Sequence, residues 1–246
     1  MKKLGLLGKK ISYSFSQNYF TTKFKQEGID TAFSYENFDI QNIEGFTTIL
    51  KNNPELIGLN VTIPYKEAII PFLDELSENA QEIGAVNTIR ISPNGKLFGD
   101  NTDFFGFNTS LEPLLKPHHK KALILGTGGA AKAVAFGLKK LNIDSIFVSR
   151  QKKENTIIYN QIDAKTFDQH QIIINCTPLG TFPKTELFPD IPYQYFTSRH
   201  IAFDLIYNPK KTAFLKNAEN HGATTQNGYN MLVFQAEKAW EIWNGF

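Results

Sequence analysis

The stretch Gly126-Thr127-Gly128-Gly129-Ala130-Ala131 carries the clearest chemistry in the chain. An apolar run, Lys121 to Leu125, leads into it, and a helix-like pattern follows to Leu141. A glycine turn between a strand and a helix is how a protein holds a dinucleotide pyrophosphate. Gly126 permits the tight turn, Gly128 lets a ligand approach the backbone, and Ala131 is small enough for helix and strand to pack closely. The N–H groups that open the helix then face the phosphates. NAD-binding units place an acidic residue about 20 positions after the first glycine, to bond the ribose 2′-OH. Here that place holds Ser149 and Arg150, then Gln151, Lys152 and Lys153. A carboxylate would repel a 2′-phosphate, whereas a guanidinium fork welcomes it. The pattern therefore predicts NADP(H) over NAD(H).

Hydride chemistry needs a second site, which holds a carbonyl or alcohol carbon and moves one proton. Polar residues for it recur in the first hundred positions. Asn60-Val-Thr62-Ile-Pro-Tyr-Lys66 ends a strand and opens a predicted helix; Asn87-Thr88 follows Gly84-Ala-Val; Asn101-Thr-Asp103 follows Gly99. Asp103 alone reads equally well as a helix N-cap, and Lys66 alone as a surface lysine. What singles them out is their shared place at sheet edges, where ligands bind in open α/β sheets.

The elements that must position these residues read as α/β. Lys3–Leu7, Phe33–Phe38 and Leu56–Val61 are predicted strands, and Phe15–Gln26 and Ile43–Lys51 predicted helices. Pro64 suits the first turn of a helix reaching about Phe72, and Glu75–Ile83 offers another short one. Asn87–Ile91 and Lys96–Phe98 flank Ser92-Pro-Asn-Gly95 as strand, tight turn and strand. A linker falls at Pro113 and Pro117-His-His-Lys-Lys121, and further strands at 122–125, 145–148, 172–175, 201–205 and about 223–225. The segment 157–171 is weakly patterned. Met231 to Ile242 has helical spacing and would pack back across the first domain. The expectation is a two-domain protein. A mixed-sheet substrate domain spans 1–112 plus about 229–246, and a Rossmann-like NADP-binding domain spans 113–228.

Composition narrows the function. A chain of 246 residues with 41% apolar and 20% charged residues is an ordinary globule, and a net charge of +2 without a basic stripe gives nucleic acid little to hold. Leu4-Gly-Leu-Leu-Gly8 is too short for a secretory h-region, and no run approaches a membrane span, so a cytoplasmic protein is expected. The lone Cys176 follows Ile172-Ile-Ile174 and reads as packing. The five histidines are dispersed along the chain, and no metal is expected. The expected partner is a small-molecule substrate, with no nucleic acid or membrane. Monomer and homodimer both stay open.

Taken together, the motifs resemble those of the shikimate dehydrogenases, NADP-dependent enzymes of aromatic amino-acid biosynthesis. The likeness runs through Ser12-Tyr-Ser-Phe-Ser16, NVTIPYK at 60–66, GAVNT at 84–88, GDNTDFFGF at 99–107, GTGGAAKA at 126–133, NCTPLG at 175–180, DLIYNP at 204–209 and NGYNMLVFQA at 227–236. The resemblance implies reversible reduction of 3-dehydroshikimate to shikimate by NADPH. It implies that Lys66 and Asp103 form the catalytic pair and that Ser14 and Ser16 bind the substrate carboxylate. Asn60, Thr62, Asn87 and Asp103 would grip the ring hydroxyls, with Tyr207 and Gln235 completing the substrate site. The implied cofactor set is Gly126, Thr127, Gly128, Gly129, Ala130, Ala131, Ser149, Arg150, Lys152, Thr177, Pro178, Leu205 and Gly228.

Three places depart from the family pattern. Tyr13-Ser-Phe-Ser-Gln17 keeps both serines but lacks the usual proline turn, Ser149-Arg150-Gln151 keeps the arginine of an Asn-Arg-Thr cluster, and Thr181-Phe-Pro183 stands where the family often has methionine. Two rivals remain at this stage: a quinate/shikimate dehydrogenase with broader substrate or NAD use, and a non-catalytic NADP-binding regulator on the same scaffold.

Overall fold

A computed structural model describes residues 1–11 and 14–245, so Ser12 and Tyr13 of the serine motif lie outside the described residues. The chain forms two compact units, Met1–Thr102 with Ala236–Phe246, and Asp103–Gln235.

The first unit contains β1 (Lys2–Gly8), α1 (Phe15–Gln26), β2 (Phe33–Asp39), α2 (Gly45–Asn52), β3 (Leu56–Val61), β4 (Glu75–Leu76), α3 (Glu78–Ile83), β5 (Thr88–Ile91) and β6 (Leu97–Asp100). They build a six-stranded mixed sheet in the order β2-β1-β3-β5-β6-β4. β1 runs parallel to β2 and β3, while β5 runs antiparallel to both β3 and β6. The carboxyl ends of β1, β3 and β6 and the start of β5 therefore share one edge. The period of two sends Leu59 and Val61 to one face, against Phe46, Ile49 and Ile69, and Leu4, Leu6 and Tyr35 to the other.

The second unit contains α4 (Asp103–Leu111), β7 (Lys121–Leu125), α5 (Gly129–Lys140), β8 (Asp144–Ser149), β9 (Thr156–Ile158), α6 (Ala164–Gln169), β10 (Ile172–Asn175), β11 (Ile201–Asp204), α7 (Ala213–Asn220), β12 (Thr224–Gln226) and the start of α8 (Tyr229–Asn244). Its sheet, ordered β12-β11-β10-β7-β8-β9, is parallel at every observed pairing. Helices cover both faces. Phe107, Val134 and Leu138 pack on Ile124, Ile174 and Phe203; Phe167, Phe214 and Leu215 pack on Leu123, Ile173 and Ala202. The strand order reverses between β7 and β10, which opens a crevice at their carboxyl ends.

The later part of α8 belongs to the first unit. Ala236, Ala239 and Trp243 join Leu4, Leu6, Phe20, Phe24 and Tyr35 in one core. Trp243 donates its indole N–H to the Ile89 carbonyl at 2.9 Å. On the rim, Glu237 accepts from Lys23 at 2.9 Å and from the Tyr19 hydroxyl.

Several sequence expectations need correction. The helix expected from Pro64 to Phe72 is a series of turns closed by a 3₁₀ turn at Ile70–Phe72. The Lys66 carbonyl accepts from Val86 N–H at 2.7 Å and so is spent outside any helix, and Pro71 brings no N–H. Glu75–Ile83 splits into β4 and α3, because Ser77 caps α3 by accepting from Ala80 N–H at 3.1 Å. Asp103 is the first residue of α4 rather than the residue before it. The weakly patterned 157–171 holds most of β9, a 3₁₀ turn and α6. The histidines, dispersed in sequence, gather in space: His118 and His119 precede β7, His170 precedes β10, His200 precedes β11 and His221 precedes β12. All stand at the starts of parallel strands, opposite the crevice. Among the described residues no group of His, Cys, Asp and Glu is arranged to hold a metal, and no helix is long and apolar enough to cross a membrane.

One buried carboxyl fastens the crevice loops. Asp204 accepts from Asn175 Nδ2 at 3.0 Å, Ile206 N–H at 3.0 Å and Thr212 Oγ1 at 2.5 Å. Burial outweighs these bonds and pushes its pKa up from 3.8 to about 6.

This packing sets two expectations for stability. Trp243→Ala should cost about 3–5 kcal/mol in urea unfolding, and Trp243→Phe clearly less; a loss below about 1 kcal/mol for the alanine would contradict the packing. The folded-state pKa of Asp204 is raised, so its contribution to stability is full below the unfolded value and is lost as pH climbs through about 6. Between pH 4 and pH 7, Asp204→Asn should gain on the parent by up to about 3 kcal/mol. Unfolding midpoints at the two pH values measure this, and a gap that stays flat or closes would contradict it.

Candidate active site

At the shared edge of the first sheet, three sequence segments are tied into one body. Val61 N–H donates to Asn87 O at 2.8 Å, Val86 N–H to Lys66 O at 2.7 Å, and Asn87 N–H to Asp100 O at 3.0 Å. Side chains tighten the same seam. Asn87 Oδ1 accepts from Thr102 N–H at 2.7 Å and from Thr88 Oγ1 at 3.0 Å, and its Nδ2 donates to Thr102 Oγ1 at 3.0 Å. Asn101 Nδ2 donates to Ala85 O at 2.9 Å. Asn60, Asn87, Thr88, Asn101 and Thr102 are all buried. Such groups are held in core only when partnered, so the seam is rigid.

Several sequence-selected residues lie in this unit. Thr62 is half-buried, and its N–H donates to Leu7 O at 2.9 Å. Tyr65 anchors the turn by donating its hydroxyl to Ile40 O at 2.8 Å, and half-buried Lys66 follows it. Ser14 is the N-cap of α1 and accepts from Gln17 N–H at 3.4 Å, which uses a lone pair and not its proton. Ser16 lies in the first turn of α1, close to the Tyr35 hydroxyl. Tyr35, in turn, donates to Asn60 Oδ1 at 2.7 Å. Sequence reasoning passed over Tyr35, since a tyrosine on a strand gives no local sign of a polar task.

The remaining substrate-side residues belong to the second unit. Asp103 is buried and follows Thr102 in the chain. Gly106, one turn further along α4, packs so closely that a Cβ there would collide with Met231 O and lie 3.0 Å from Gln235 Cβ. That contact brings buried Gln235 beside the first turn of α4. Tyr207 is half-buried after β11.

The crevice of the second sheet collects the cofactor candidates. Gly126 has φ of +111°, and its N–H donates to Val148 O at 2.9 Å. Gly128 is the N-cap of α5 with no side-chain cap, and the first turn of α5 holds no acidic residue. A Cβ at Gly128 would meet nothing within 4 Å, so the loop faces open space. An uncapped helix start with Thr127, Gly129 and Ala130 beside it suits a pyrophosphate. Ala131 is fully buried against the sheet. At the end of β8, Ser149 is buried and Arg150, Lys152 and Lys153 are exposed. Across the switch point, Asn175 Oδ1 accepts from Thr177 N–H at 3.0 Å and Thr177 Oγ1 at 2.7 Å, setting the turn into Pro178. Leu205 N–H donates to Asn175 O at 3.0 Å. Gly228 crosses Leu205 so tightly that a Cβ would overlap its carbonyl. Burial, then Asp204, holds the Cys176 thiol well above its ordinary pKa, which makes it a packing group and not a nucleophile.

Known proteins resemble this chain along its length. A family model described as the shikimate dehydrogenase substrate binding domain matches residues 6–89. A shikimate dehydrogenase (NADP(+)) of Methanosphaera stadtmanae is 37% identical over 258 residues, covering 98% of this chain and 90% of that protein. One from Methanococcus maripaludis is 39% identical over 266 residues, covering 99% of this chain and 92% of that protein. The crystal structure of shikimate 5-dehydrogenase from Thermus thermophilus, in complex with NADP(H) and shikimate, superposes with a TM-score of 0.87. It is 31% identical, and the match covers 100% of this chain and 94% of that one. With likeness of this depth along both units, the chain belongs to the shikimate dehydrogenase family.

Proposed function

We propose that this protein catalyses the reversible reduction of 3-dehydroshikimate to shikimate with NADPH, a step of cytoplasmic chorismate and aromatic amino-acid biosynthesis. The first unit supplies most of the contacts to the cyclic acid, and the second holds the dinucleotide. The observation that carries the reading is the buried seam of Asn60, Asn87, Thr88 and Thr102, with Lys66 held beside it by its own carbonyl.

The bound dinucleotide supplies the hydride. Gly126, Thr127, Gly128, Gly129, Ala130 and Ala131 present backbone N–H groups to its pyrophosphate, and Thr177, Pro178, Leu205 and Gly228 wall its nicotinamide end. Ser149, Arg150 and Lys152 take the 2′-phosphate. Ser14 and Ser16 donate their hydroxyls to the substrate carboxylate. Asn60, Thr62, Asn87, Tyr207 and Gln235 match the ring hydroxyls with fixed donors and acceptors, which rejects rings lacking them. As the ketone carbon is reduced, negative charge grows on its oxygen. The Lys66 ammonium stabilises that charge and supplies the proton, and Asp103 orients the ammonium and the substrate oxygen.

Absorbance at the NADPH band, with shikimate and NADP⁺ as substrates, tests the reading; turnover supports it, and no turnover refutes it. Quinate and NAD⁺ in parallel should be poor substrates. Lys66→Ala should lower kcat by about 100-fold or more with a much smaller rise in KM, because the lost contact is strongest in the transition state. A kcat within a few-fold of the parent would remove Lys66 from that role. Arg150→Ala should raise the KM for NADP⁺ about tenfold and leave that for NAD⁺ nearly unchanged. Equal effects on both cofactors would show that Arg150 does not meet the 2′-phosphate.

A further inference from the structure

Tyr35 lies on β2 opposite Leu4 of β1, and Asn60 lies on β3 opposite Leu6. The period of two puts all four side chains on one face of the sheet. The Tyr35 ring is buried, stacked on Phe20 at 4.8 Å between centroids and packed near Trp243 at 6.4 Å. Its oxygen reaches past this aromatic cluster to Asn60 Oδ1 at 2.7 Å.

The direction of each bond follows from the partners. Asn60 Nδ2 stands 3.4 Å from the Asn87 carbonyl, which only accepts, so the nitrogen belongs on that side and Oδ1 faces Tyr35. The phenol must then donate to Asn60. The order of donation is Tyr35 to Asn60, and Asn60 to Asn87 and Thr88.

We propose that Tyr35 is a positioning residue for substrate recognition: its hydroxyl holds the amide of Asn60 with Oδ1 toward β2 and Nδ2 toward Asn87 and Thr88. It touches neither substrate nor cofactor. The carboxamide of Asn60 therefore meets the substrate in one fixed orientation. The proposal rests on the shikimate reading above, which makes Asn60 a substrate contact.

Tyr35→Phe keeps the ring and its stacking and removes only the hydroxyl. The expected result is a KM for shikimate raised by about tenfold to a hundredfold, with kcat within about threefold and the KM for NADP⁺ unchanged. Shikimate binding by calorimetry without cofactor should weaken by the same factor as KM. A shikimate KM within about twofold of the parent overturns the proposal, as do shikimate and NADP⁺ constants that rise together, the mark of general loosening. Should Tyr35→Phe not fold, Tyr35→Phe/Asn60→Leu leaves no buried acceptor unmet and is compared with Asn60→Leu alone. Equal shikimate constants support the proposal, because Tyr35 then acts through Asn60; a further rise in the double variant overturns it. The parent separates the two readings. A parent that does not bind shikimate overturns both, whereas a parent that binds it beside an unaffected variant overturns this one alone.

Discussion

The carboxamide of Asn87 is the fixed point of the first unit. It is buried, it accepts from the main chain of Thr102 and the hydroxyl of Thr88, and it donates to the hydroxyl of Thr102. In a low-dielectric interior an unmet amide is costly, so its partners have one arrangement available to them. Through that arrangement the end of β3, the start of β5 and the end of β6 share a geometry that none would hold alone. Lys66 gains its place from the same seam, since the carbonyl that would extend a helix bonds Val86 instead. A flexible lysine is thereby mounted on a rigid turn.

The second unit solves a different problem with different means. Its crevice offers backbone and small residues rather than a side-chain network: an uncapped helix start, open space over Gly128, and Gly228 pressed against Leu205. A pyrophosphate carries diffuse charge and is held well by N–H groups and a helix dipole. A ring with several hydroxyls is told from its analogues only by directed donors and acceptors. The cluster of Asn175, Asp204 and Thr212 underlies the crevice loops, and there burial overrides hydrogen bonding in setting the Asp204 pKa. The two sheets thus carry two different kinds of polar surface.

The sequence made much of this legible where the signal is local. The glycine turn, the strands around it, and the hairpin of β5 and β6 with Gly95 at φ of +82° all follow from short patterns and turn chemistry. What it concealed depends on distant partners. β4 is only Glu75–Leu76 and exists by pairing with β6, so no local period marks it. The turns of 64–69 replace a helix because Val86, some twenty residues on, claims the Lys66 carbonyl. Tyr35 looked like any strand aromatic, and its polar task appears only once β1 sets Asn60 two strands away on the same face. The histidines read as scattered because strand starts far apart in sequence share one edge in a parallel sheet.

The central claim is that a prearranged set of buried amides and hydroxyls reads the hydroxyls of the ring. Competitive calorimetry with shikimate and with 1-cyclohexene-1-carboxylate, which keeps ring and carboxylate but has no hydroxyl, tests it most directly. The account predicts that the analogue binds at least about 1,000-fold more weakly, because its arrival would leave the polar seam unmatched. An analogue that binds within about tenfold of shikimate would show that carboxylate and ring alone carry recognition, and would contradict the account.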